Sequence, residues 1–228
     1  MDTDQTMQSV LTRRAVLAGL AAALPALHIA PRAMAQQENV TRMPLDPHRS
    51  ALVLLHYQGD ILSIFATAGI DAYVRRMTAL AASARAAGMP VIFVRIGFSP
   101  DYPEISPNNQ NGQMIRSFGL FTADTVPEGL RAPGDRVLTA HRVSAFHGTP
   151  LDPLLRAQGI DTLLMAGITT TGVVVSTLCD ASDRDYRILL IEDGCFDPDA
   201  EAHAGLLRTS FATRAEILSA ADAAALIG

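Results

Sequence analysis

Three short segments of this 228-residue chain concentrate side chains able to bind or react. The first is His56-Tyr57-Gln58-Gly59-Asp60. The second is His141-Arg142-Val143-Ser144-Ala145-Phe146-His147-Gly148-Thr149, and the third Gly167-Ile168-Thr169-Thr170-Thr171-Gly172-Val173. An imidazole gives or takes a proton near neutrality, because its unperturbed pKa is about 6.5. A guanidinium forks onto carboxylates, which makes Arg142, with His141 beside it, a candidate anion-binding group. Asp60 reads equally as a site carboxylate or as a turn or cap former. Thr169, Thr170 and Thr171 suit hydrogen bonding to a ligand better than attack, since nothing near them in sequence activates a hydroxyl.

Other chemistry is excluded by what the chain lacks. All 18 cationic residues are arginine, so there is no amine for a Schiff base, a pyridoxal phosphate anchor or a phosphate-binding loop. His56, Asp60, His141 and His147 lack the tight paired spacing of zinc ligands, so no metal is expected, and no cofactor. A net charge of -5 argues against a nucleic-acid partner. Of the two cysteines, Cys195 stands among Glu192, Asp193 and Asp197, which supply none of the positive charge that activates a thiol. Pairing with Cys179 is allowed but not demanded.

The elements that must position these residues alternate along the chain. Residues 51–55 form an apolar run of buried-strand length ending at His56. Val74, Met77, Leu80, Ala81 and Ala84 then recur at helical spacing as far as Gly88-Met89-Pro90. Strands follow at 91–94, 136–139, 162–165, 187–191 and 216–218, with helices near 152–158, from 172, over 199–209 and at the end of the chain. Between them, residues 97–134 are rich in proline and asparagine and read as a long excursion with one short helix near 113–118; this excursion, which contains Phe98, Tyr102, Pro103 and Asn108, is expected to shape specificity. This rhythm predicts a three-layer, Rossmann-like α/β fold with a parallel sheet and a site outside the strands' carboxyl ends.

The chain resembles the isochorismatase-like hydrolase family, also called cysteine hydrolases, from about Ala51 to Leu218. The resemblance rests on Ser144-Ala145-Phe146-x-Gly148-Thr149-x-Leu151-Asp152 and on Leu154-Leu155-Arg156-Ala157-x-Gly159-Ile160-Asp161-Thr162-Leu163. It continues through Gly167-Ile168-Thr169-Thr170, Ser176-Thr177, Asp180-Ala181-x-Asp183-Arg184-x-Tyr186 and Glu192-Asp193. It implies a six-stranded parallel sheet, a small-molecule substrate with an amide, carbamoyl or vinyl-ether bond, assembly into a homo-oligomer, and a cis peptide at Ile168-Thr169.

Three reactive positions depart from the family pattern. The Asp of the family's Asp-x-Gln-x-Asp is His56 here, leaving Gln58 and Asp60; the lysine four residues before the serine is Ala140; the nucleophilic cysteine is Val173. The resemblance places Gln58, His141, Arg142, Thr169, Thr170 and Val173 around the substrate, with the N–H groups of Thr169 and Val173 as oxyanion donors at a helix start. It leaves His56, helped by Asp60, Arg142 and His141, as the acid or base of a cysteine-independent hydrolysis with water as the nucleophile. The alternative is a protein of the same fold that binds a small molecule and has lost catalysis. Ser144 lacks His-Asp partners for a serine mechanism.

Arg13 and Arg14 precede an apolar run over 15–30 and the sequence Ala33-Met34-Ala35. This resembles a twin-arginine export signal over residues 1–35, cleaved ahead of an arm at 36–50 and a hydrolase domain at 51–228. The run falls short of the roughly 20 apolar residues that span a bilayer. The expectation is therefore a periplasmic or otherwise exported protein, handled by the twin-arginine machinery and without stable membrane insertion after cleavage.

Overall fold

Strand β1, Ser50–Leu55, is buried along its whole length, which is why it reads as an unbroken apolar run rather than an alternating one. Its odd and even residues serve different cores. Leu52 and Leu54 join one cluster with Met77, Leu80, Ala84, Ala223 and Ile227, while Ala51, Val53 and Leu55 join another with Leu151, Leu155, Leu178 and Ala181. A strand with helices packed on both faces is the middle of three layers.

The computed structural model describes residues 43–123 and 126–228. After β1 come helix α1 (Gly59–Ile64), helix α2 (Asp71–Ala86), β2 (Val91–Ile96), α3 (Gln110–Ser117), β3 (Arg136–Ala140), α4 (Leu151–Ala157) and β4 (Thr162–Ile168). A π-helical turn, Thr170–Val174, then leads into α5 (Val175–Ser182), followed by β5 (Arg187–Phe196), α6 (Ala200–Leu206), β6 (Glu216–Leu218) and α7 (Ala220–Ile227). The six strands lie in the order β3-β2-β1-β4-β5-β6, every neighbouring pair parallel. The expected three-layer, six-stranded parallel fold is therefore present. Chain order reverses between β1 and β4, and such a switch point opens a crevice beyond the strand ends.

Several local features differ from expectation. α1 was not foreseen, and α3 begins three residues early because the Asn109 side chain accepts from Gly112 N–H and caps it. β5 runs five residues past its expected end. It does so through Gly194, where a Cβ would meet Met77 and Ala166 inside 3.0 Å. The expected signal over residues 1–35 and the first part of the expected arm, residues 36–42, lie outside the described residues. Among the described residues, no helix is long and apolar enough to cross a membrane.

Candidate active site

Beyond the ends of β1, β2 and β4 opens a cavity of about 520 Å³, and His56 stands in its wall. The His56 N–H donates to Val94 O at 2.8 Å, extending the β1–β2 ladder by one residue. Its backbone then turns at φ 58°, a left-handed value uncommon outside glycine. That turn carries the chain away from the sheet and leaves the ring between β1 and the cavity. The side chain is 6 % exposed, and its Nε2 has no partner within the protein. Burial holds the imidazole neutral, lowering its pKa to about 3, because the apolar surroundings disfavour the charged form.

Opposite His56 lies the turn after β4. The Ile168-Thr169 peptide is cis, as the resemblance implied. Gly167 allows the turn to sit tightly on the strand ends, since a Cβ there would meet Leu55 Cβ at 2.8 Å and Val174 Cγ2 at 2.9 Å. Thr169, Thr171, Gly172, Val173 and Ser176 line the cavity. Two residues from the β5–α6 side hold this turn. Thr171 donates both its N–H and its hydroxyl to Asp197 Oδ2, at 2.7 and 2.6 Å, and Thr170 Oγ1 lies 2.8 Å from His203 Nδ1. Neither Asp197 nor His203 was singled out in the sequence as a site residue, because their spacing to the turn is set by the sheet and not by any local pattern.

Of the residues nominated from sequence, His56, Thr169 and Val173 line the cavity; the others stand elsewhere. Gln58 is fully buried and works on the backbone: its Nε2 donates to Ile96 O at 3.0 Å, and its Oε1 accepts from Ile96 N–H at 2.8 Å. Asp60 sits half-buried in the first turn of α1, where a carboxylate complements the free N–H groups. His141 Nδ1 is 2.6 Å from Gly97 O, and Arg142 Nη1 donates to Glu104 O and His141 O. Thr170 is wholly buried beneath the turn. Within the excursion, Phe98 and Tyr102 are core residues, the tyrosine hydroxyl donating to Leu120 O, while Asn111, Met114, Ile115 and Phe118 face the cavity.

The wall of the cavity comes instead from the two short helices. Ile61, Ile64 and Phe65 line it from α1 and its C-cap, and Asn111, Met114, Ile115 and Phe118 from α3 and its C-cap. Both sets follow helical spacing, i, i+3, i+4 and, in α3, i+7, so a periodicity search within the Pro- and Asn-rich excursion would have found the second.

Two of the three reactive positions of the family pattern, Ala140 and Val173, carry only hydrocarbon side chains. Val173 is buried in the cavity wall, and Ala140 is fully buried in the second core cluster. Neither cysteine lines the cavity. Cys195 is buried, with its pKa pushed up to about 12 by that burial, and Cys179 lies outside the cavity lining. Both are free thiols. Ser144 is no nucleophile either: its hydroxyl donates to Asp180 Oδ2 at 2.7 Å, and Arg184 Nε holds the other carboxylate oxygen at 2.8 Å. Tyr186 donates to Asp152 at 2.9 Å and stacks on Phe146 at 5.8 Å, so the motifs that carried the resemblance form one structural network tying the β3–α4 loop to α5. No cluster of metal-ligating side chains occurs among the described residues.

Comparison with known proteins gives a consistent picture. The family described as Isochorismatase domain matches residues 50–222. Ureidoacrylate amidohydrolase RutB of Methylobacterium radiotolerans is 30% identical over 183 residues, which cover 69% of this chain and 71% of that protein. The protein of the same name from Methylorubrum extorquens is 36% identical over 137 residues, and there the chain spans about half the relative's length, 55%. Among solved structures, N-carbamoylsarcosine amidase from Thermoplasma acidophilum superposes with a TM-score of 0.63 at 29% identity, covering 75% of this chain and 96% of the other.

Proposed function

Starting from the chain's membership of the isochorismatase family of hydrolases, we propose that it hydrolyses a small molecule at an amide or carbamoyl bond without a cysteine, using His56 to activate water. The observation that carries this reading is the unpartnered Nε2 of a buried imidazole at the cavity wall. A buried polar atom without a partner costs stability unless something else occupies it, and the cavity beside Nε2 has room for a water or a substrate group to do so. In the reaction a water oxygen adds to the carbonyl carbon while His56 Nε2 takes its proton. The oxyanion is met by N–H groups of the turn at Thr169 and Val173. The C–N bond then breaks, and the proton passes from His56 to the leaving nitrogen.

The relatives' names support the bond class, since an amidohydrolase of ureidoacrylate and an amidase of N-carbamoylsarcosine both cleave next to nitrogen. A base with a pKa of about 3 pulls weakly on a water proton, so turnover is slow beside that of an enzyme with a base poised near neutrality. That weakness favours a second reading, a cavity kept for binding alone, in which the carbon at Val173 and Ala140 records lost catalysis.

The two readings separate in a screen of the purified protein against ureido, N-carbamoyl, primary-amide and vinyl-ether compounds, with His56→Ala alongside. Turnover that falls about 100-fold or more in the variant supports the hydrolase. Binding without turnover supports the second reading, and turnover undiminished in His56→Ala removes His56 from the chemistry. We further propose that the protein is exported in folded form, a reading supported by Arg13, Arg14 and the apolar run after them.

A further inference from the structure

No Asp, Glu or Arg lines the cavity among the described residues, and the chain contains no lysine to bring to it. The cation nearest in sequence to the lining residue Val143 is Arg142, which donates to two backbone carbonyls and is not itself part of the lining. Asp197, behind the turn, is occupied by Thr171 and by Asp199 N–H. The polar side chains of the lining are thus those of His56, Asn111, Thr169, Thr171 and Ser176, with the Thr171 hydroxyl already donated to Asp197; the other side chains of the wall are apolar, and Gly172 has none. Apolar lining continues outward to the mouth, where Ile64, Met114 and Phe118 are 51%, 54% and 69% exposed.

We propose that this cavity takes an uncharged molecule with an apolar body, its polar head against His56 and the turn, and that it rejects the carboxylate-bearing analogue of the same shape. An ionised carboxylate placed here loses its hydration and finds no cation to replace it, whereas an amide head needs only neutral hydrogen-bond partners. The carboxylates of ureidoacrylate and N-carbamoylsarcosine would meet the same penalty. The head-group orientation rests on the hydrolase reading above. In that reading, hydrolysis of a neutral primary amide gives ammonia and the carboxylic acid, whose proton passes to the ammonia to leave ammonium and a carboxylate, and the carboxylate is the species this wall expels.

The test is calorimetric titration of the full chain at pH 7.5 with 4-phenylbutanamide and, separately, 4-phenylbutanoate, with ammonia release followed in the same amide samples. The amide is expected to bind at least about 30-fold more tightly than the carboxylate. Met114→Arg, which adds a cation at the exposed mouth, is expected to tighten carboxylate binding at least about 5-fold. Equal or tighter carboxylate binding by the unaltered protein overturns the assignment, as does failure of the amide to bind. Amide binding without ammonia release upholds the ligand class while overturning hydrolysis, so the two readings fail separately.

Discussion

His56 stores a pH dependence that the folded protein must express. Its pKa falls from 6.5 to about 3 on folding because burial penalises the imidazolium. The folded state therefore binds fewer protons than the unfolded one between those values. The associated stability is complete above about pH 6.5 and is lost as the pH falls toward 3, by up to about 5 kcal/mol from this residue. Urea melts at pH 7 and pH 4.5 should show a little over half of that loss, and His56→Gln should remove the part of it that belongs to the imidazole. An unchanged slope in the variant would mean the ring is charged or solvated in the native state. The sequence identified His56 as the residue in the family's aspartate position, but its neutrality was not legible there. The standard imidazole pKa applies to a solvated ring, and much of the wall around it comes from residues distant in sequence, in α3 and the turn after β4.

At the scale of elements, Gln58 was read as a ligand-binding residue, yet it joins β1 to β2 through both ends of one amide. Replacing it by leucine leaves Ile96 N–H and C=O buried without these partners, so Gln58→Leu should cost about 2 to 4 kcal/mol in chemical denaturation. A cost below about 1 kcal/mol would show that the pair is dispensable. Gly167→Ala belongs to the same scale. The added Cβ must displace Leu55 or Val174, moving the turn off the strand ends, so turnover should fall more than stability does. The strands themselves were legible, because parallel strands covered on both faces are continuous apolar runs. α3 was only half legible. Its Asn109 cap and its apolar stripe lie in a stretch whose prolines and asparagines signal loop, and the stripe has meaning only once the cavity it faces is known.

For the molecule as a whole, the scaffold is retained where the reactive positions are not. The Asp152–Tyr186 and Ser144–Asp180–Arg184 contacts hold the loops of the family fold, while Ala140 and Val173 fill two reactive positions with carbon. With both cysteines outside the cavity lining, turnover should survive exhaustive alkylation of accessible thiols and persist in Cys179→Ala; loss of activity on either treatment would bring a thiol back into the mechanism. The export proposal is tested by Arg13→Lys with Arg14→Lys, which should hold the chain in the cytoplasm, an outcome that continued export of the double variant would contradict. The pH dependence of amide hydrolysis by the wild type and His56→Ala tests the central claim most directly. A buried neutral base predicts a rate level from about pH 5 to pH 8, with no inflection near 6.5, and a drop of about 100-fold or more across that range in the variant. A rate that His56→Ala leaves unchanged would contradict it.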